Sequence, residues 1–259
     1  MPIKILITND DGLYSAGLKA SYEALQDLGE VFVVAPIIQK SGVGRSISIM
    51  EPIRVSEVKI NDIKIYAVEG TPTDAVIIGI HEIIGEIPNI TISGINLGEN
   101  LSTEAVTTSG TVGAALEAAT QGSNAIAMSL ELSDFDKFEL FFRPFDFDFA
   151  KEILKKVCRV VLKKGMPEGV DVLNINIPSK PNGEIEITKL AKKMYKTRID
   201  KRFDPRGRRY YWINGIEIIE AEKNTDIHAL RNGKVSITPL TIDLTANVDF
   251  NTIRSWLNE

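Results

Sequence analysis

The sequence predicts an α/β protein with a mostly parallel sheet and helices on both of its faces. Two observations predict this class. Short apolar runs of strand length alternate along the first half of the chain with stretches of helical periodicity. These runs are continuously apolar, as strands covered on both faces require. Because alternating strands and helices pack as parallel strands with crossover helices, we expect one layered domain, for which 259 residues are sufficient.

The elements of the first half follow in order. Residues 3–8 (IKILIT) predict the first strand, and apolar residues at helical spacing then predict a helix that ends at Gly29. Further strands are predicted at 30–36 (EVFVVAP), 64–70 (KIYAVEG), 89–96 (NITISGIN) and 125–130 (AIAMSL). Further helices are predicted from Thr73 onward and at 111–119 (TVGAALEAA).

A long helix is predicted at about 147–164, and the segments after it are mostly strand-like. VLNINIP and IEITKLA resemble strands, and RFDPRGRRYYWINGIEI predicts a β-hairpin with Asn214-Gly215 at its tip. KVSITPLTIDLT and a short final helix, FNTIRSWL, complete the chain. We therefore predict a single domain over 1–259, with a core at about 1–190, a hairpin extension at about 192–235 and a C-terminal arm at about 236–259.

Composition excludes several classes of protein. A hydrophobic content of 44% and a charged content of 25% are typical of globular domains. No apolar run approaches the roughly 18 residues of a membrane span, and a net charge of −5 argues against binding to a nucleic-acid polymer. The single cysteine, Cys158, lies among apolar residues at helical spacing and predicts a buried thiol. We expect a cytoplasmic protein without membrane or nucleic-acid partners.

One stretch of the chain is strongly basic, although the protein as a whole has a net charge of −5. Nine Lys and Arg residues lie between Lys192 and Arg209, against only Asp200 and Asp204. A polyanion or an acidic neighbouring subunit could bind there, and a solvated loop surface explains the pattern equally well.

Four polar clusters follow predicted strands, where ligands bind in open parallel sheets. They are Asn9-Asp10-Asp11-Gly12, the loop with Ser41, Gly42 and Gly44, SGINLGEN at 93–100, and TTSGTVGAA at 107–115. Each cluster is weak evidence alone, since loops are rich in Gly, Ser and Asn. Their convergence on one edge of the sheet predicts a functional site.

The first three clusters supply oxygen ligands. Adjacent carboxylates repel one another, and a bound cation relieves that repulsion. Asp10, Asp11, Ser41 and Asn96 together form a set suited to Mg²⁺, Mn²⁺ or Ca²⁺ rather than zinc. The alternative to cation binding is that these aspartates cap the helix that follows, but capping accounts for only one of the two carboxylates.

The fourth cluster predicts an anion site. A helix that begins within TSGT offers free backbone N–H groups, with the hydroxyls of Ser109 and Thr111 beside them. The alternative is that this turn only caps the helix. No G-x-G-x-x-G follows the first strand and no P-loop motif is present, so a dinucleotide-binding domain and a P-loop enzyme are both disfavoured.

Taken together, these blocks resemble a known family. ITNDDG, AP followed by SG, EGTPTDAV, SGIN.G.N, SGTVGAA and TD…AL..G..S.TPL..DLT resemble the SurE (survival protein E) family of metal-dependent nucleotidases, in the same order from residue 3 to about 246. The resemblance implies a Rossmann-like core with a protruding hairpin and a C-terminal arm that exchange between subunits. We therefore expect a homodimer or tetramer assembled through the C-terminal region.

The resemblance also implies an activity and a set of site residues. The expected reaction is the hydrolysis of nucleoside monophosphates with one Mg²⁺ or Mn²⁺ per subunit; action on 3′-nucleotides and short polyphosphate stays open. The implied metal ligands are Asp10, Asp11, Ser41 and Asn96. The implied phosphate-binding residues are Asn9, Gly42, Ser109, Gly110 and Thr111. The implied catalytic residues are Asp10, Asp11, Asn9 and Ser109.

The chain departs from the family at one position. Many relatives carry a histidine four residues after the aspartate of DLTA, where this chain has Asn247 after Asp243. Asparagine cannot act as a general acid, so the proton donor to the leaving group is open, with His228 as a substitute or as a structural residue. Two other hypotheses stand beside metal-dependent hydrolysis: Asp10 as a covalent nucleophile, and a nucleotide-binding regulator without turnover.

Aromatic residues in the C-terminal region support the expected assembly. Residues 192–259 have few long apolar runs, yet they include Tyr210, Tyr211, Trp212 and Trp256. Aromatic residues that a small extension cannot bury are typical of an interface.

Overall fold

The computed structural model describes residues 2–132, 145–218 and 220–258. The strands in this part of the chain are β1 (Lys4–Thr8), β2 (Glu30–Pro36), β3 (Val55–Ile60), β4 (Ile63–Val68), β5 (Ile90–Leu97), β6 (Asn124–Leu130), β7 (Val172–Ile177), β8 (Ile185–Ile187), β9 (Tyr195–Phe203), β10 (Arg209–Glu217) and β11 (Val235–Leu240). The helices are α1 (Ala16–Leu25), α2 (Pro72–Ile78) with a π-helical continuation (Gly79–Ile84), α3 (Ser102–Thr108), α4 (Gly110–Thr120), α5 (Asp148–Lys164), α6 (Asp226–Arg231) and α7 (Phe250–Leu257).

A nine-stranded sheet forms the centre of the molecule, in the order β3-β4-β2-β1-β5-β6-β7-β11-β8. The six strands from β4 to β7 in this order are parallel to one another. Alternate residues of β1 face opposite sides: Ile5 and Ile7 pack with the cluster under α1 and α5, and Leu6 packs with the cluster under α2 and α4. The predicted α/β class, with helices on both faces, is confirmed.

Three edge strands are antiparallel to the central ones. β3 precedes β4 through a tight turn in which Asn61 and Asp62 adopt φ values of +48° and +65°. Asn and Asp tolerate this left-handed conformation and favour such hairpin turns. On the other side, β11 pairs antiparallel with β7 and parallel with β8. The sequence predicted neither β3 nor the short helix α3.

The predicted hairpin is present, but its expected tip is wrong. β9 and β10 pair over nine residues each, and Asn214-Gly215 lies inside β10 opposite Arg198 and Thr197. The chain turns instead at 204–208, where the Asp204 carboxylate accepts hydrogen bonds from the backbone N–H groups of Arg206 and Arg208. Gly207 supplies the φ of +76° that the turn needs.

The C-terminal region divides differently from the expectation. β11 is part of the main sheet, so the segment that could form an arm begins after Leu240 rather than at residue 236. Residues 241–258 are exposed on the single chain, and α7 has no buried residue. Cys158 is buried in α5 as predicted, and burial strongly raises its pKa. Among the described residues, no helix is both long and apolar enough to span a bilayer.

Candidate metal and phosphate site

Three neighbouring strands bring the predicted polar clusters to one edge of the sheet. β1 lies between β2 and β5 and is parallel to both. The acidic turn Asn9–Asp11 follows β1, Ser41 lies in the loop after β2, and Asn96 is the penultimate residue of β5. The carboxyl ends of parallel strands therefore meet where the sequence predicted a site.

Asp10 is the most connected residue of the site. It is nearly fully buried, and its Oδ1 accepts a hydrogen bond of 2.5 Å from the Thr111 hydroxyl in the first turn of α4. Its backbone carbonyl accepts a 2.7 Å hydrogen bond from the N–H of Lys40, the neighbour of Ser41. Asp10 thus joins the acidic turn to both the β2 loop and α4.

Asp11 is joined to the end of β5. Its Oδ2 accepts a 3.1 Å hydrogen bond from the N–H of Leu97, the residue after Asn96. The Asn96 amide nitrogen donates to the Gly98 carbonyl at 2.6 Å, an arrangement that leaves the amide oxygen as the ligand atom. The structure therefore brings both carboxylates and Asn96 together, with the Ser41 loop beside them.

The electrostatics of the acidic pair favour a bound cation. Burial raises the pKa of Asp10, an effect that the Thr111 hydrogen bond partly offsets. Burial, and then the neighbouring charge of Asp10, raise the pKa of Asp11 to about 6. A positive ion would relieve both the desolvation and the repulsion. The buried Asn9 Oδ1 has no hydrogen-bond partner among the residues that the structure describes, so the turn holds one more oxygen that a cation or water could satisfy.

The chemical nature of the ligand atoms indicates which kind of metal ion this site would bind. In the described residues, no group of three or more His, Cys, Asp or Glu side chains is placed to hold a metal. Two carboxylates with a hydroxyl and an amide oxygen are hard ligands that suit Mg²⁺ or Mn²⁺ and leave positions for water and substrate.

The N-terminus of α4 forms the other half of the site. The Ser109 hydroxyl caps the helix by accepting a 3.1 Å hydrogen bond from the Val112 N–H. The cap is therefore real, but a hydroxyl that accepts one hydrogen bond can still donate its hydrogen to an anion. A side chain at Gly110 would lie 2.8 Å from Asp10 Cβ and 3.0 Å from the Lys40 carbonyl oxygen, so only glycine permits this approach.

Comparisons with known proteins identify the family of this chain. A family model described as Survival protein SurE matches residues 5–197. The chain belongs to the SurE family. The 5′-nucleotidase SurE of Archaeoglobus fulgidus is 66% identical over 256 residues, which cover 99% of this chain and 98% of that protein. The 5′-nucleotidase SurE of Methanosarcina mazei is 51% identical over 262 residues, covering 98% and 97%.

A solved structure extends the family likeness to three dimensions. The crystal structure of the SurE protein from Aquifex aeolicus has a TM-score of 0.81 with this SurE family member, at 36% sequence identity. The match covers 99% of this chain and 100% of that one. The resemblance deduced from the sequence motifs is confirmed.

The remaining predicted phosphate residues occupy different environments. Asn9 is fully buried and donates from its amide to the Gly12 carbonyl at 3.1 Å, which suits a residue that shapes the acidic turn. The Thr111 hydroxyl donates to Asp10, and its backbone N–H also forms a hydrogen bond with that carboxylate, so Thr111 holds the acidic turn against α4. Gly42 is exposed, with a φ of +73°, at the rim of the β2 loop.

An ion pair that the sequence did not predict fastens the β2 loop to α4. The Arg45 Nε donates to Glu117 Oε2 at 2.7 Å, and the Glu117 side chain is only 3% exposed. The Gly44 N–H also donates to the Thr108 carbonyl at 2.8 Å. The one available signal was the acidic residue within the apolar helix TVGAALEAA, which needs a buried partner.

The proton donor to the leaving group stays unassigned. Asn247 lies in the exposed segment after β11. His228 lies in α6, where its backbone N–H donates to the Thr225 hydroxyl and its buried Nδ1 has no partner in the described ranges. No hydrogen bond within the described residues joins His228 to the acidic turn.

Proposed function

We propose that the acidic turn after β1 and the N-terminus of α4 form the hydrolytic centre of a 5′-nucleotidase. Curated relatives named 5′-nucleotidase SurE are 49% to 66% identical over nearly the whole chain, so the enzyme class is phosphoric monoester hydrolase. This class disfavours a regulator without turnover. The proposed substrates are nucleoside monophosphates, with 3′-nucleotides and short polyphosphate as substrates to be tested beside them.

The observation that carries the proposal is the hydrogen bond from Thr111 to Asp10. It places a buried carboxylate against the first turn of a helix, where the positive end of the helix dipole lies. An anion bound at that helix end would meet two carboxylates unless a cation lay between them. A divalent ion held by the acidic turn, with phosphate at the N-terminus of α4, would satisfy both halves of the site.

The chain's residues divide into two groups. Asp10, Asp11, Ser41 and Asn96 would hold one Mg²⁺ or Mn²⁺. When bound, such an ion supplies positive charge that polarises phosphoryl oxygens and lowers the pKa of a water molecule.

The phosphate oxygens would be bound by the helix end. The Ser109 hydroxyl and the N–H of Gly110 would donate to them at the start of α4, and such donors stabilise the charge on the equatorial oxygens during transfer. Asp10 would orient the attacking water and take its proton.

The proposal also covers the oligomeric state of the protein and its location in the cell. Tyr210, Tyr211, Trp212 and Trp256 are 39% to 67% exposed on the single chain, as residues of a subunit interface would be. We therefore propose a homodimer or tetramer formed through the hairpin and the C-terminal segment. The single buried cysteine suits the cytoplasm.

The test is phosphate release from AMP and GMP. We expect turnover with Mn²⁺ or Mg²⁺ and none after EDTA, with recovery when the metal is restored. Binding of AMP without turnover in the presence of metal would favour the regulator. A phosphoenzyme trapped on Asp10 would favour the covalent route.

A further inference from the structure

A cavity of about 510 Å³ opens between α3 and the hairpin β9–β10, and the proposed hydrolytic centre does not use it. Its volume lies within the roughly 300–1,000 Å³ of typical small-molecule sites. It also adjoins the centre along the chain in two places. Thr108 on its wall directly precedes Ser109, and Glu99 on its wall follows the β5 end that carries Asn96.

One wall of the cavity is polar. Glu99 is half-buried, and in the described part of the chain its carboxylate accepts only one long hydrogen bond, at 3.5 Å, from the hydroxyl of Tyr195. Ser102 also lines the cavity, and its buried Oγ has no hydrogen-bond partner within the described residues. A carboxylate at a cavity wall is matched by a ligand that brings hydroxyl groups.

The opposite wall is apolar and aromatic. Met194 lines it just before the hairpin, and Tyr195 and Ile213 line it from the hairpin. Asn214 also lies on this wall, but its amide is already bonded to Asp200 Oδ2 at 3.3 Å and to the Gly215 N–H at 2.9 Å. Burial, followed by the charges of Glu99 and Glu217, raises the pKa of Tyr195 to about 12, so the ring stays neutral and its flat face suits a stacked aromatic ligand. A wall without free amide or charged groups does not distinguish one base from another.

The floor is held in place by buried hydrogen bonds. Asp226 accepts from the Ser102 N–H at 2.6 Å and from the Ala191 N–H at 2.9 Å. Ser102 has a φ of +68°, a conformation that costs free energy in a residue with a side chain. The start of α3 is therefore fixed before any ligand binds.

We propose that this cavity binds the nucleoside part of the substrate, with Glu99 accepting hydrogen bonds from the ribose hydroxyls and Tyr195 stacking on the base. The inference rests on the proposed function, because the phosphate at Ser109 fixes which end of the substrate enters. Two carboxylates on its walls, Glu99 and Glu104, repel further phosphate groups, so the uncharged end of the substrate occupies it.

The first experiment compares substrates with and without the groups that the cavity would bind. kcat and KM are measured for AMP, 3′-deoxy-AMP, 2′-deoxy-AMP and p-nitrophenyl phosphate in the wild type and in Glu99→Gln. We expect KM for AMP to rise about tenfold, as loss of a charged acceptor requires, with kcat nearly unchanged. At least one deoxynucleotide should lose this sensitivity, and p-nitrophenyl phosphate should be unaffected.

The matched control is Glu168→Gln, which removes the same charge from an exposed loop at the amino end of β7, on the opposite edge of the sheet. It should leave every constant unchanged. Equal losses for AMP and p-nitrophenyl phosphate in Glu99→Gln, or no loss for AMP, would overturn the proposal.

A binding measurement separates this proposal from the proposed function. Adenosine is titrated by calorimetry into the full-length protein without metal, and into Tyr195→Leu, whose fold is checked by circular dichroism. We expect wild-type binding and at least tenfold weaker binding to the variant. If neither AMP nor p-nitrophenyl phosphate is hydrolysed, the proposed function fails, and adenosine binding still decides the cavity. Absence of adenosine binding with normal AMP turnover overturns the cavity proposal alone.

Discussion

Thr111 donates its hydroxyl hydrogen to Asp10 at 2.5 Å, although the two residues are 101 positions apart in the sequence. Both side chains are buried, so the bond is shielded from solvent and holds the first turn of α4 against the end of β1. The positions of the proposed cation ligands and the proposed phosphate donors therefore depend on each other.

Thr111→Val tests this dependence, because valine keeps the shape and removes the donor. It leaves the Asp10 oxygen buried without its partner, which costs roughly 1–3 kcal/mol of stability. We expect lower Mn²⁺ affinity and at least tenfold lower kcat, measured by calorimetry and phosphate release. Thr107→Val is the control, since the exposed Thr107 hydroxyl only bonds to its own helix. Normal metal affinity in Thr111→Val would contradict the coupling.

Ser109→Ala tests the phosphate site. Loss of one hydroxyl donor to a charged oxygen costs roughly 1.5–3 kcal/mol, so activity should fall by tens of fold while Mn²⁺ affinity is nearly unchanged. Because Ser109 also caps α4, this variant should lose about 1 kcal/mol of stability.

Ser109→Gly separates the two roles of this residue. Glycine at a cap position costs only a few tenths of a kcal/mol, so the melting temperature should hardly move while activity falls as far as in the alanine variant. If the glycine variant is active, Ser109 is only a cap and the phosphate binds elsewhere.

Arg45→Met tests whether the ion pair with Glu117 positions the β2 loop. The variant leaves a buried carboxylate without its counter-ion. Since the Arg45 side chain is 39% exposed, we expect a loss of about 2 kcal/mol rather than the larger cost of a fully buried pair. Mn²⁺ affinity should also fall, because Ser41 lies in the released loop.

The double variant Arg45→Met/Glu117→Gln distinguishes positioning from general stability. It removes the unpaired charge, so most of the lost free energy of unfolding should return in denaturant melts, while Mn²⁺ affinity stays low. Recovery of both quantities together would show that the loop does not depend on this pair.

The assembly is tested by sedimentation at micromolar concentration. We expect a dimer or tetramer, and weaker association in Trp212→Ser, because Trp212 is 60% exposed on the hairpin of the single chain. Ile49→Ser removes an apolar residue that is even more exposed, at 83%, outside the C-terminal region and should have no effect. A stable wild-type monomer would refute the interface.

The central strands and the site were predictable because their signals are local. IKILIT is continuously apolar, and it forms β1, which is buried on both faces. The first three clusters at strand ends follow from topology, whereas the fourth follows α3 rather than a strand, contrary to the expectation. β3 was missed because VSEVKI is an edge strand with mostly exposed side chains, so burial left little pattern to recognise.

The misplaced hairpin tip and the unpredicted ion pair have a different cause. Asn214-Gly215 is a favourable turn sequence, but Asp204 and Gly207 provide a turn with more hydrogen bonds, and the pairing of β9 with β10 selects it. Arg45 and Glu117 are 72 positions apart, so only the folded chain shows that they meet.

The pair Asp10 and Asp11 provides the most direct test of the metal site. The folded-state pKa of Asp11 is raised to about 6 from an ordinary value of 3.8, so its ionised form destabilises the metal-free protein. This penalty is complete well above pH 6 and disappears as the pH falls toward 4, and it is on the order of 3 kcal/mol. In EDTA at pH 7.5, Asp11→Asn should therefore melt at or above the wild-type temperature, and the difference should shrink toward pH 4. With Mn²⁺ at pH 7.5 the order should reverse, because the wild type gains binding free energy that the variant has lost. Turnover by the variant should collapse.

A carboxylate that only capped a helix would behave oppositely: the substitution would lower the metal-free melting temperature, and hydrolysis would survive chelation. A wild-type melt indifferent to Mn²⁺, with activity indifferent to EDTA, would exclude the metal site.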